Sequence, residues 1–177
     1  SPKAQSIAKN KFCSVTGNIE EEIYGFAAPL PYASPDKPGF ISSFFNADKN
    51  WKNYPISSDA ALKLELGSKY IMENLTGYFY GQEYLIVPNP IIKTEQDKLK
   101  TIIKRLKTAF DEEKKASREK RKGAEERVQK LIAQEKNYFN LDIAFFKRVQ
   151  SSMKIQTMIE EVLPSRFRTL FIDAPEK

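Results

Sequence analysis

Tyr78–Val87 reads YFYGQEYLIV, with Pro88 and Pro90 directly after it. Aromatic and β-branched side chains suit a pleated, half-buried surface, and a glycine within such a run marks a tight turn. The stretch therefore predicts a strand, or a tight hairpin around Gly81, stopped by the two prolines. A strand needs a partner. Phe139, Leu141, Ile143 and Phe145 alternate with Asn140, Asp142 and Ala144, the period of two that puts one face of a strand against a core. Pairing the two segments gives a small antiparallel sheet, and the rest of the chain supplies helices to cover it. The fold class expected is α+β.

Leu99, Ile102, Ile103, Leu106 and Phe110 recur at helical spacing between lysines and arginines, an amphipathic helix with one apolar face. Ser57-Ser58-Asp59 offers cap side chains ahead of a second helix, whose apolar face would be Ala61, Leu62, Leu66, Ile71 and Leu75. A third is expected after Ser151-Ser152, with Ile155, Met158, Ile159 and Val162 buried against the sheet and Pro164 ending it. From Asp111 to Arg127, DEEKKASREKRKGAEER, the apolar stripe vanishes. This segment reads as a charged helical arm, exposed and broken near Gly123, within an excursion over about residues 95–130.

The N-terminal part is rich in proline, serine and aromatics. Short β pieces at Glu22–Ala27 and Phe40–Phe45 would alternate with turns at Pro35–Gly39 and Asn46–Asp48. The organisation expected is a subdomain plus helix over 1–77 and a sheet-and-helix part over 78–177. A start without Met and an end at FIDAPEK suggest a piece of a longer chain.

Composition narrows the chemistry. The 177 residues include no histidine and one cysteine, so Ser-His-Asp, Cys-His and His-containing metal sites cannot be built from this chain alone. Adjacent carboxylates at Asp111-Glu112-Glu113 and Glu160-Glu161 point away from each other on a helix, which argues against a metal-dependent nuclease. No enzymatic activity and no cofactor are expected. No apolar run is long enough to cross a bilayer, and a cytoplasmic location is expected. The net charge is +6, and residues 95–130 alone hold thirteen Lys/Arg against eight Asp/Glu.

That excess peaks at Lys114, Lys115, Arg118, Lys120, Arg121 and Lys122, where six cations meet one acid. Such clusters attract a phosphate backbone by releasing counterions. Interleaved glutamates leave the alternative of a solvated charged loop with i,i+4 pairs. Trp51, Lys52 and Asn53 form a second candidate, an aromatic ring beside polar donors in a set that also holds Phe44, Phe45, Tyr54, Tyr78 and Tyr80. Stacking of single-stranded bases is one use for such a set and core packing is another. Cys13-Ser-Val-Thr16-Gly17 has the cadence of a zinc knuckle without its second thiol. The matching place before the first helix has Ser57 and Ala60, so no metal is expected and Cys13 reads as a small buried hydrophobe.

Together, Cys13-x-x-Thr16-Gly17, KPGFISSFF, WKNYPISSDAALKLELGSKYIMENL, YFYGQEYLIVPNP and SSMKIQTMIEEVLPSRF resemble the middle of the large subunit of type I-B CRISPR surveillance complexes (Cascade), from about Phe12 to Leu170. That family carries C-x-x-C-G, a Trp followed by NFPIC-x-x-CA, a strand closing on IP, and IEDVLPSR. Mapped onto it, the zinc ligands would be Cys13, Thr16, Ser57 and Ala60. The resemblance thus implies a degenerate zinc knuckle, with Phe12, Trp51 and Ile56 packing in its place. It implies a non-catalytic subunit of an RNA-guided antiviral complex, which helps bind target DNA and recognise the motif flanking the target. Its partners would be the other CRISPR subunits, guide RNA and target DNA, with no membrane. The alternative is a protein–protein assembly module with no direct nucleic-acid contact.

Overall fold

A computed structural model describes residues 6–25, 47–91, 96–117, 119–150 and 152–173. The expected strand at Phe40–Phe45, the turns at Pro35–Gly39 and Asn46, the rings of Phe44 and Phe45, and Arg118 lie outside them. The chain divides into two units, Ser1–Lys69 and Tyr70–Lys177, each with helix and strand, and every strand pair among the described residues is antiparallel. The protein is α+β.

In the first unit, β1 (Ile7–Phe12) and β2 (Ile19–Tyr24) form a hairpin with Ile7 opposite Tyr24 and Phe12 opposite Ile19. A short 3-10 helix (Ala47–Lys52) follows, and Ile56 bridges back to Tyr24. Helix α1 (Ser58–Asn74) then begins where the capping residues predict, with the Ala60 N–H donating to Ser57 Oγ at 3.4 Å. The core here is small: Cys13, Ile23, Ile56 and Ala60 are buried, with Trp51, Ala61 and Leu64 against them. Two expectations fail. Leu62 and Leu66 are more than half exposed, so α1 does not bury the face they mark, and Phe12 is 57 % exposed and contributes little to the packing expected of it.

The second unit is a four-stranded sheet in the order β3-β4-β5-β6. The Tyr78–Val87 segment is indeed a hairpin: β3 (Thr76–Phe79) pairs with β4 (Gln82–Pro90), and Tyr80 and Gly81 make the turn at φ 48° and 80°. Both central residues of a type I′ turn need positive φ, which glycine adopts freely and tyrosine does not. Strand β4 pairs with β5 (Phe139–Val149), Tyr84 opposite Phe145 and Ile86 opposite Ile143. It also runs through both prolines, with Pro88 opposite Leu141 and Pro90 opposite Phe139, where the sequence predicts a stop. The reason is directional. The Ile86 N–H points away from β5, to Leu75 O at 3.0 Å, so positions 88 and 90 share that outer edge and a missing N–H there removes no ladder bond.

The segment expected to be a third helix is instead β6 (Ser152–Val162), antiparallel to β5, with Ala144 opposite Met158 and Lys147 opposite Lys154. Ile155, Met158, Ile159 and Val162 fit a helical stripe, but Ile155, Thr157 and Ile159 also fit a strand, and β5 has an open edge only a strand can satisfy. Met158 and Ile159 are about half exposed, so the buried helical face does not exist. Near its end β6 shifts register between Leu141 and Ile143, where Glu161 takes φ 56° and its N–H donates to Asp142 Oδ1 at 2.9 Å. A bulge of this kind absorbs one unpaired residue. The strand leads into α4 (Pro164–Arg168) and a π-helical turn (Thr169–Asp173).

Between β4 and β5 come α2 (Gln96–Lys115) and α3 (Arg121–Gln134), which cover one face of the sheet. Ile102, Leu106 and Phe110 of α2, Val128 and Ile132 of α3, and Tyr84, Ile86, Phe139 and Leu141 of the sheet are buried together. Leu85, Ala144, Phe146 and Met153 form a smaller cluster with the other parity along β4 and β5. No helix among the described residues is long and apolar enough to cross a membrane.

The charged segment is packed, not projecting. Helix α2 continues to Lys115, α3 passes through Gly123 unbroken, and Ala124, Glu113 and Glu125 are buried. The two carboxylates grip the hairpin: Glu113 Oε1 accepts the Tyr78 N–H at 2.6 Å and Glu125 Oε2 accepts the Tyr80 N–H at 3.1 Å. Gly77 permits this approach, since a Cβ there would lie 2.6 Å from the Phe110 ring and 2.7 Å from Glu113 Oε2.

Candidate nucleic-acid interface

The candidate surface grows from the β3–β4 hairpin, because the helix ends that hold it are cationic. Lys114, in the last turn of α2, donates to the Glu73 carbonyl at 2.7 Å. A cation there complements the carbonyl end of α1. Burial lowers its pKa first, and Lys107 and Arg148 push it further down against Asp111 and Glu113. Arg121, in the first turn of α3, lies 5.3 Å from the centroid of the Tyr78 ring, a cation–π arrangement. Lys115, Lys120 and Lys122 are exposed around the same connection. Among the described residues Lys115, Lys120, Arg121 and Lys122 enter no ion pair.

Further cations arrive on β5 and β6. Arg148 bonds Glu83 Oε1 at 3.1 Å and lies 5.4 Å from the Phe146 ring centroid. Lys147 stands directly opposite Lys154, and both are exposed. Like charges facing each other across two strands repel, and neither lysine pairs with a described carboxylate. A groove of about 780 Å³ runs beside Lys147, lined in part by Tyr78, Tyr80, Gln82, Glu83, Lys147 and Arg148. A smaller pocket of about 230 Å³ lies beside it, lined by Met72, Thr76, Gly77, Tyr78, Glu83, Lys114 and Arg148.

Of the residues that sequence singles out, Lys114 and Arg121 thus converge on Tyr78. Lys147, Arg148 and Lys154 belong to the same surface and carried no signal, because their placement depends on β6 being a strand. Glu113 and Glu125 were also missed. Burial drives the Glu113 carboxyl up to about 7, with the Tyr78 N–H opposing and Glu125 adding to the rise. Trp51, Lys52 and Asn53 lie in the first unit. Trp51 packs against the Cys13 cluster, Lys52 Nζ sits 5.8 Å from its ring centroid, and Asn53 is exposed.

The positions that the resemblance maps to zinc ligands lie close together. Cys13 Sγ is 3.8 Å from Ser57 Oγ and accepts the Ser57 N–H at 3.4 Å, and Ala60 is buried beside them. The turn closes with Gly17 at φ 74°, its N–H on the Cys13 carbonyl at 3.0 Å. Burial opposes ionisation of Cys13, but the Thr16 hydroxyl and the backbone contacts of Thr16, Ser57 and Val15 outweigh it and bring the thiol to about 6. One sulfur, two hydroxyls and a methyl cannot close a tetrahedral zinc shell. Among the described residues no group of three or more His, Cys, Asp or Glu could hold a metal ion.

Against this geometry, residues 10–162 match the family described as CRISPR-associated protein TM1802 (cas_TM1802) central domain. The match spans most of the chain, which belongs to that family and is a CRISPR-associated protein. No curated protein and no solved structure matches it.

Proposed function

We propose that the chain is part of the large subunit of a type I-B CRISPR surveillance complex, a non-catalytic element that helps bind target DNA and recognise the motif flanking the target. The observation that carries this reading is the cationic surface around the hairpin, where Lys115, Lys120 and Lys122 enter no ion pair among the described residues and Arg121 lies over the Tyr78 ring. Base pairing with a guide would read the sequence, while the protein supplies charge, shape and a short motif check. A non-catalytic role is supported by the lack of histidine and by the commitment of Glu113 and Glu125 to backbone N–H groups. Its partners are the other subunits of the complex, guide RNA and target DNA, in the cytoplasm. The first unit carries a former zinc knuckle whose turn outlived its ligands.

The test replaces Lys114, Lys115, Arg118, Lys120, Arg121 and Lys122 with Gln in the assembled complex. Binding should weaken equally for matched and mismatched targets, and the slope of log affinity against log salt should flatten by about 0.9 for each duplex phosphate no longer neutralised. An unchanged slope in a complex that still assembles sinks the reading. It would leave a protein–protein assembly module, which the exposed Phe12–Ile19 pair on β1 and β2 favours.

A further inference from the structure

We propose that the β3–β4 turn is a stacking platform for an unpaired nucleotide, with the base on the exposed face of Tyr80 and the neighbouring phosphates along Lys147 and Lys154. This rests on the nucleic-acid reading above and adds the single-stranded state of the ligand at this place.

Tyr80 is the wrong residue for its turn. A two-residue turn with both φ values positive favours Asn-Gly or Gly-Gly, yet the first place holds a tyrosine at φ 48°. The residue is 82 % exposed, so burial does not compensate for the backbone conformation. Backbone strain held in place by its surroundings gathers at ligand sites. The residue is also held in place: its N–H is fixed by Glu125, and Phe79 packs edge-on against the ring at 4.8 Å and 89°.

The surroundings select the occupant. The groove beside Tyr80 is lined by Lys147, by Arg148 with its partner Glu83, and by the Gln82–Gln156 amide pair, and Lys147 faces the like-charged Lys154 across β5 and β6. An anion between the lysines would relieve their repulsion, and an aromatic ring flanked by phosphate-binding cations is the usual arrangement for single strands. A duplex offers no free base face to a ring at a hairpin tip, because its bases are stacked on one another.

The experiment uses the full chain with fluorescein-labelled oligothymidylate, oligouridylate, an abasic strand and a duplex, read by anisotropy across a salt series. Tyr80→Asn keeps the left-handed turn and removes the ring, so the fold should hold or gain stability. Binding to either single strand should fall by about 5- to 150-fold with the salt slope unchanged, and Tyr80→Phe should stay within about threefold of the unsubstituted chain. Lys147→Gln with Lys154→Gln should lower the slope by about 0.7 for each single-strand phosphate no longer neutralised. The abasic strand should bind the Tyr80→Asn and unsubstituted chains alike. A larger drop on oligouridylate than on oligothymidylate assigns the strand as RNA, and the reverse as DNA; both support the platform. Salt-dependent binding that Tyr80→Asn leaves unchanged overturns the platform alone, and so does an equal drop on duplex. If the unsubstituted chain binds no nucleic acid, or prefers a polyglutamate peptide, the broader reading falls with it.

Discussion

Glu113 on α2 accepts the backbone N–H of Tyr78 at 2.6 Å, joining a helix to a strand that lies 35 residues earlier in the chain. The contact leaves Glu113 Oε2 buried without a hydrogen-bond partner among the described residues. Such a carboxyl ionises reluctantly, and burial holds it at about 7 against an ordinary 4.5. The sign follows directly: below 4.5 the group is protonated whether folded or not, and between 4.5 and 7 the unfolded chain gives up a proton that the folded chain keeps. Stability should therefore fall as pH rises through this window, by about 2 kcal/mol given 1.4 kcal/mol per unit of separation and some relaxation. Glu113→Gln retains an acceptor for Tyr78 and cannot ionise. Urea midpoints at pH 5 and 8 should differ less in the variant than in the parent, with the variant the more stable at pH 8; parallel pH profiles would contradict the account.

Gly77 should tolerate no side chain. A Cβ would meet the Phe110 ring at 2.6 Å, and Phe110 is fully buried with nowhere to move. Overpacking of this kind costs about 1–3 kcal/mol, and Gly77→Ala should reach the top of that range because the Glu113 to Tyr78 bond shares the space. Chemical denaturation measures it. A destabilisation under about 0.5 kcal/mol, the level of a neutral surface change, would mean that α2 does not press on β3 this closely.

How far the sequence discloses this architecture depends on whether a signal is local. The alternation at Phe139, Leu141, Ile143 and Phe145 and the spacing of Ile102, Leu106 and Phe110 state their own partners, and the structure buries most of each set. The Ile155 to Val162 pattern fits two periods at once, and only the open edge of β5 chooses between them. Glu113 and Glu125 look like surface residues because the backbone groups that satisfy them lie 35 and 45 residues away. The Cys13–Gly17 segment is legible as a turn, since Gly17 and the Cys13 spacing are local, whereas the exposure of Phe12 is not. Tyr80 is visible in the sequence as an aromatic but not as a residue in a left-handed turn.

The purified chain should carry no stoichiometric zinc, and Cys13→Ser should leave it folded. Ser57 and Thr16 offer hydroxyls and Ala60 a methyl, none of which replaces a thiolate at a structural zinc site. The Cys13 contacts are weak hydrogen bonds that a serine hydroxyl can also make. Elemental analysis that finds about one zinc per chain would sink the reading, as would a Cys13→Ser chain that fails to fold unless metal is supplied.

The last expectation separates a strand from a helix at residues 152–162. Were this segment a helix with Ile155, Met158, Ile159 and Val162 inward, a charge at position 159 would be buried and unpaired, costing several kcal/mol and abolishing folding. In β6, Ile159 is 46 % exposed opposite Ile143, so the lysine of Ile159→Lys can extend its stem over the sheet and keep its ammonium in water. The destabilisation should stay below about 1 kcal/mol. Leu141 lies on the neighbouring strand with no exposure at all, and Leu141→Ala removes buried methyl groups and leaves a cavity, at a cost of about 2–5 kcal/mol. Thermal or urea denaturation of the two variants side by side decides the matter. A reversed order, with Ile159→Lys the more damaging, would return the segment to a buried face and remove Lys154 from the cationic surface.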